Sequence, residues 1–544
     1  MTTDVRKIST EQLKAQLHDG GEIALLDPRE EVPFDARHLL MAACVPFGRL
    51  ETLLDDLVPR RSARVVWCDD GHGQSNSLAE RAAARMSSLG YDDVAVLDGG
   101  IDAWEAAGYA VYSGIHVPSK AFAEVVEHEA ATPHISAQEL KSLIDSKADI
   151  AIFDSRSYEE YHGNSIPGAI SVPGAELVYR FKDLAPSPET LIVVNCGGRT
   201  RSIIGAQALI NAGFSNRIVS LTNGTQDWHL AGYEVIIGAT RQPPPASDGA
   251  LQAGLEGAQR IAELCDIPTI DKATLDAWRN EADKRSLYVL DVRTPQEYEA
   301  GHIAGIKHAA GGQLVQETDS HLATWGARVV LVDDNGIRAT VTASWLKQMG
   351  WEVATITIEA IGHDNGKQGL VSGPHQPKVL GLDKSKVTHI DAATLNERLQ
   401  AGSAQVIDLD WSRQYYQGHV PDAWYAVRTN LARDLAKVPK TEMLVLTSAD
   451  GTLAELAASD LSKHTEPTVP VVALAGGTQA WAAAGYPLQS GATRMASEAI
   501  DIRLKAREQG KDIEQAMREY LAWEIQLVHD MAADNDHRFA VVAG

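Results

Sequence analysis

Leu191-Ile192-Val193-Val194-Asn195-Cys196-Gly197-Gly198-Arg199-Thr200-Arg201-Ser202 is the stretch whose reading decides the fold. Its first four residues form an apolar run of the kind that fills a buried strand, and Ile203 to Ala212 reads as the helix that follows. Cys196 therefore sits where a strand ends and a Gly/Arg loop opens a helix. Backbone N–H groups and the helix dipole converge at such a place. Gly197, Gly198, Thr200 and Ser202 would line the cradle, and Arg199 and Arg201 would clamp an anion beside the sulfur. The setting favours a thiolate, so Cys196 is the candidate nucleophile. Its pKa is expected below the free value of about 8.5.

Working outward, the strand-like run Ile150 to Phe153 ends in Asp154-Ser155-Arg156, and Cys196 lies 42 residues beyond Asp154. The same ruler recurs. Asp27-Pro28-Arg29 is followed 42 residues on by Asp69, and Asp291-Val292-Arg293 by Asp333 at the same distance. Asp408-Leu409-Asp410 has Ser448 at 40 residues. The chain thus reads as four copies of one unit, with the thiol in the second. Ile8-Ser9, Ile135-Ser136, Ile270-Asp271 and Ile390-Asp391 open the copies, and Ser9 with Gln12 and Ser136 with Glu139 fit capping boxes. Gly100 to Trp104, Gly224 to Trp228 and Gly477 to Trp481 close three of them. Copy three reads Ile361-Gly362-His363-Asp364-Asn365 at that place.

These marks resemble the rhodanese family over most of the chain: the Asp-x-Arg strand end, the turn Gly163-Asn164-Ser165-Ile166-Pro167-Gly168-Ala169, the cysteine loop and the Gly-x-x-x-Trp ending. The family usually carries His where Ser165 stands, and His38, His302 and His419 hold that place in the other copies. That substitution makes the histidine an improbable part of the chemistry. The resemblance implies an α/β chain of four rhodanese-like domains, each a parallel five-stranded sheet flanked by helices. Expected boundaries are 1–118 (inactive), 119–242 (catalytic), 243–266 (linker with helix), 267–380 (inactive, degenerate), 381–494 (inactive) and 495–544 (a C-terminal helical extension). Arg156 resembles the family's arginine that lines the site, with ion pairing inside the fold as the other reading.

The implied reaction is sulfur transfer. A Cys196 thiolate takes sulfane sulfur from thiosulfate or a related persulfide donor, and the persulfide passes it to cyanide or a thiol. No metal and no organic cofactor are needed. Four residues separate Cys196 from Arg201, whereas the related phosphatases use five, so the tighter loop suits sulfur better than phosphate. The second glycine and the basic residues depart from the Cys-Gly-[Ser/Thr]-Gly-Val-Thr loop of mercaptopyruvate sulfurtransferases. A phosphatase or arsenate reductase, and a non-catalytic binding or scaffold protein, are the alternative readings.

Asp69, Asp333 and Ser448 cannot carry a persulfide, so their units should be inert. Arg338 keeps the place of Arg201 in copy three, whose loop is therefore a second candidate anion site. Cys68 ends a strand but stands one residue before the nucleophile position, and Cys44 and Cys265 read as packed small hydrophobes. A net charge of −24 argues against nucleic acid and requires any anion site to be locally basic. No apolar run reaches the roughly 20 residues that span a bilayer, and the cytoplasm is the default compartment. Residues 243–245, a triple proline, separate two halves, so copies one and two are expected to pair, as are three and four, with the Cys196 cleft facing copy one. Ala496 to Met531, with Ile500, Ile502, Leu504, Ile513, Met517, Leu521, Ile525 and Val528 on apolar positions, is expected to pack on the domains. A homodimer surface is its alternative role.

Overall fold

A computed structural model describes residues 5–71, 77–362, 369–464, 469–505, 508, 512–533 and 536–542. His363, Asp364 and Asn365 lie outside the described residues. Strands alternate with helices in each unit, and the strands of each main sheet are parallel, as crossover helices require. In unit two the strands run in the order His134–Ile135, Ile218–Leu221, Leu191–Asn195, Ile150–Asp154, Ile170–Ser171. Unit four repeats this order from His389–Ile390 to Trp424–Tyr425. Unit one repeats it from Lys7–Ile8 to Ala43–Cys44 and gains Thr324–Trp325 of unit three as an antiparallel edge. Among the described residues the main parallel sheet of unit three has four strands rather than the expected five, because its first strand is reduced to a bridge between Thr269 and Thr355, and His302–Ile303 pairs antiparallel with Leu370–Val371 apart from it.

The recurrent residues have structural reasons. Ser9 and Ser136 close both halves of their capping boxes. Asp27, Asp154 and Asp291 each grip the arginine two residues on, at 2.6–2.7 Å, which fixes the strand end. Trp104, Trp228 and Trp481 are buried and donate their indole N–H to the carbonyls of Ala110, Glu234 and Pro487. His38, His302 and His419 stack on Phe34, Tyr298 and Tyr415 and bond backbone carbonyls, so their role is packing.

The pairing of units differs from the sequence expectation. Unit three packs on unit two and also on unit one, where Trp325 donates to Met41 O and Tyr288 to Leu57 O, and unit one packs on unit four. The linker helix Asp248–Cys265 lies between units two and three, with Gly254 close to both Val178 and Ile337 and Gly257 close to Ala212. Next to it Gly312 meets Gly174 backbone to backbone, and Arg338 reaches across to Glu176 at 2.8 Å. Units one and four meet through Arg428, which binds Glu51 and the carbonyl of Gly48, through Thr429 on Glu30, and through Arg49 stacked over Trp411. The triple proline is a turn in the path of the chain and does not divide the contacts into two halves.

Among its described residues the C-terminal extension holds the helix Ile513–Ala533, and a stretch before it crosses unit one: Ile500 O accepts from Val32 N, and Arg503 pairs with Asp35 at 2.8 Å. Met517, Leu521, Leu527 and Met531 are buried within the chain, whereas Ile513 and Ile525 are exposed. Its inward face is therefore packed against the helix Val117–Ala130 and the chemistry-bearing loop of unit two.

Candidate active site

Cys196 ends the strand Leu191–Asn195, flanked by Ile150–Asp154 and Ile218–Leu221, and is 2% exposed. The loop after it is held from behind. Cys196 O accepts from Thr225 N (2.9 Å) and Thr225 Oγ1 (2.8 Å), and Gly197 O accepts from Gln226 N (3.1 Å). Gly224 makes this approach possible. Its φ is +56°, and a Cβ there would collide with Cys196 O and lie 2.7 Å from Gly198 O. Units one and four make the same closure with Gly100 and Gly477, whose following residues donate to Asp69 O, Asp70 O, Ser448 O and Ala449 O. The Gly-x-x-x-Trp ending is thus the clamp that turns loop carbonyls outward and N–H groups inward.

The helix Thr200–Asn211 begins at Arg199 with no side-chain cap, so its first-turn N–H groups are open to the cradle. Ser202 N–H faces Sγ, and Ser202 Oγ lies 3.5 Å from it while donating to Arg199 O at 2.8 Å. The inactive units show what this cradle binds. Asp333 takes the N–H groups of Gly336 (2.6 Å), Arg338 (3.0 Å) and Ala339 (3.2 Å), and Asp69 those of Gly71 (3.1 Å) and Ala79 (2.8 Å). Ser448 Oγ accepts from Ala454 N at 3.3 Å. A built-in carboxylate fills the anion nest in units one and three; in unit two a sulfur atom stands there instead.

Other sequence expectations need correction. The Cys196 thiol is pushed up from its ordinary value, because burial outweighs Arg201 and the Ser202 donors, and Glu524 adds to the rise. The Arg199 side chain is engaged within the fold. Its guanidinium binds Glu124 at 2.6 and 2.7 Å, then Glu127 and Asn223. Arg201 is the arginine whose charge favours the thiolate; it binds Glu160 at 2.5 Å and Gln313 Oε1 of unit three at 2.9 Å. Arg156 is a brace, with Asp154 at 2.8 and 2.7 Å and Asn164 O at 2.6 Å, though its stem touches Gly197. Arg338 is likewise occupied, by Glu176, Glu297 and Asp334. Cys68 is fully buried, and burial with Asp27 raises its thiol well above the ordinary value.

The wall opposite the loop is not unit one. It comes from Gln313 of unit three and from the C-terminal extension, where Lys505 reaches Glu160 at 3.3 Å and Thr200 Oγ1 donates to Glu524 Oε1 at 3.4 Å. Glu524, Tyr520, Glu160 and Gln313 were absent from the sequence-derived site. A signal for Glu524 existed: it lies seven residues after Met517 and three after Leu521, an acid on the apolar face. Among the described residues no group of three or more His, Cys, Asp or Glu could hold a metal ion, and no helix is long and apolar enough to cross a membrane.

Comparison with known proteins agrees with this geometry. The Rhodanese-like domain family matches residues 9–107, 136–231, 273–357 and 391–484. A crystal structure of thiosulfate sulfurtransferase from Pseudomonas aeruginosa is 42% identical, with a TM-score of 0.93 over 99% of this chain and 100% of that one. Among curated proteins, a putative sulfur carrier protein, YrkF of Bacillus subtilis (strain 168), is 30% identical over 102 residues, 19% of this chain and 54% of that protein. The HTH-type transcriptional regulator Rv0324 of Mycobacterium tuberculosis is 33% identical over 91 residues, 17% of this chain and 39% of that protein. The chain therefore spans about half or less of the length of these curated relatives. Four matched segments that together cover more than half of the chain, each on its own parallel sheet, make it a member of the rhodanese family.

Proposed function

We propose that the chain is a thiosulfate sulfurtransferase whose second unit, residues 119–242, performs the chemistry through a Cys196 persulfide. The observation that carries the reading is the cradle: the nest that holds a carboxylate in units one and three holds the Cys196 sulfur in unit two. Likeness over the full chain to the Pseudomonas enzyme supports the same donor. Cys196 Sγ attacks the outer sulfur of thiosulfate, a Cys–S–S bond forms, and the donor's S–S bond breaks. The thiol proton leaves with the departing group as hydrogensulfite, and the enzyme retains a persulfide anion. The N–H groups of the loop and the dipole of the helix Thr200–Asn211 stabilise that anion, with Arg201 supplying the nearest positive charge. Cyanide or a small thiol then takes the terminal sulfur and frees the thiolate. Units one, three and four serve as scaffold.

Cys196→Ser should abolish thiocyanate formation from thiosulfate and cyanide, since a hydroxyl is a far weaker nucleophile. Cys68→Ser should keep most activity, because its sulfur is sealed in the core of unit one. Equal loss in the two variants would overturn the assignment.

A further inference from the structure

The C-terminal helix Ile513–Ala533 brings an acid to the mouth of the loop. Glu524 is 1% exposed, and its two oxygens differ in surroundings. Oε1 accepts from Tyr520 Oη at 2.7 Å and from Thr200 Oγ1 at 3.4 Å. Oε2 has no hydrogen-bond partner among the described residues and points at the loop, 3.0 Å from where a Cβ of Gly198 would stand. Both donors meet Oε1, so in the protonated group Oε1 is the carbonyl oxygen and Oε2 carries the hydrogen. Its proton then faces the side of the cradle where a donor's sulfonate must lie. Gln226, whose Oε1 is also buried without a partner, borders the same spot.

We propose that Glu524 in its protonated form is a donor-recognition residue, giving its Oε2 hydrogen to a sulfonate oxygen of thiosulfate, and that its ionised form repels the dianion. The inference rests on the thiosulfate reading above. The charged and titratable groups that face Glu524 are Tyr520 on its own helix, Lys120 and Glu124 on the helix Val117–Ala130, and Arg199 and Cys196 on the loop. Glu124 and Glu127 already engage Arg199, and Lys120 donates to Ile115 O at 2.6 Å while lying over the rings of Tyr520 and Trp523. None of these forms an ion pair with Glu524 among the described residues, and burial raises its carboxyl above the ordinary value of 4.5. The extension so becomes a selective wall: it admits an anion by donating to it.

The test is thiosulfate affinity in Cys196→Ser, which removes the titrating thiol, compared with the double variant carrying Glu524→Gln, by calorimetry from about pH 5 to about pH 9. Glutamine keeps the shape, the acceptor for Tyr520 and a donor toward the loop, but cannot ionise. The two proteins should bind alike at the acid end. The parent should then weaken by up to about tenfold per pH unit once Glu524 ionises, while the double variant does not. Lys120 is coupled to this carboxyl and loses its proton near 8, so the ratio is read below about pH 7, where the ammonium stays charged in both proteins. Tyr520→Phe removes a donor that favours the carboxylate, so the weakening should begin at higher pH. A ratio that stays flat across the range, or a double variant that binds weakly throughout, overturns the inference. Thiocyanate formation by the unaltered enzyme separates the two failures: turnover with a flat ratio refutes only the role of Glu524, and no turnover with no binding removes the donor assignment and this inference with it.

Discussion

Glu51→Gln tests the structural part assigned to the inactive units. Glu51 is 1% exposed and stands between units one and four, with Arg428 at 2.7 and 3.0 Å and Arg85 at 2.8 Å. Burial raises its carboxyl, but the arginines win and hold it at about 2, against an ordinary 4.5. A displacement of that size corresponds to roughly 3 kcal/mol favouring the folded, ionised form. Removing one member of a buried pair costs a similar amount, about 3–5 kcal/mol, since Arg428 keeps only Asp460 and carbonyls. A folded-state pKa below the unfolded one means the stabilisation is complete above about pH 4.5 and is lost as the pH falls from there through about 2. Glu51→Gln should therefore lower stability against urea by about 3 kcal/mol at neutral pH. The gap to the parent should close as the pH approaches 2. A four-unit chain can unfold in stages, so hydrogen exchange in the strands of units one and four should accompany the urea curve. A loss below about 1 kcal/mol, or a gap that does not change with pH, would refute the reasoning.

Alkylation of resting Cys196 should show a midpoint above that of a free cysteine, and Glu524→Gln should bring it down, because that carboxylate is one of the groups raising the thiol. A midpoint below the free value in the resting enzyme would contradict the burial argument. Arg201→Met should slow persulfide formation by about a hundredfold, the scale of losing one preorganised electrostatic stabiliser. Arg199→Met should act mainly on stability, by about 3 kcal/mol, since it strands Glu124 and Glu127 rather than exposing the thiol. Equal rate losses in the two variants would show that the division of labour between the arginines is wrong.

The repeat, the parallel sheet in each unit and the place of Cys196 at a strand end were legible because they depend on local rules. An Asp-x-Arg pair closes a strand, a glycine approaches a loop, and a capping box starts a helix, all within a few residues. The arrangement of the units was not legible. The triple proline at 243–245 suggested that neighbouring copies pair, whereas contact is decided by surfaces such as Gly174 against Gly312 or Arg428 against Glu51. Those residues carry no signal until their partners are known. The thiol's ionisation was misjudged for the same reason. The loop's donors and arginines can be read in order along the chain, but the cover that buries them comes from Tyr520 and Glu524, more than 300 residues away. Arg199 looked like an anion clamp because Glu124 and Glu127, its actual partners, lie 75 and 72 residues earlier on another helix.

The central claim is that one thiol in this four-unit chain accepts sulfane sulfur. Intact mass measured after incubation with thiosulfate and removal of excess donor tests it most directly. The account predicts a single gain of about 32 Da, one sulfur atom, located on the peptide bearing Cys196, lost on adding cyanide and absent in Cys196→Ser. No adduct on the active protein, or an adduct that persists in Cys196→Ser or maps to Cys68, would contradict it.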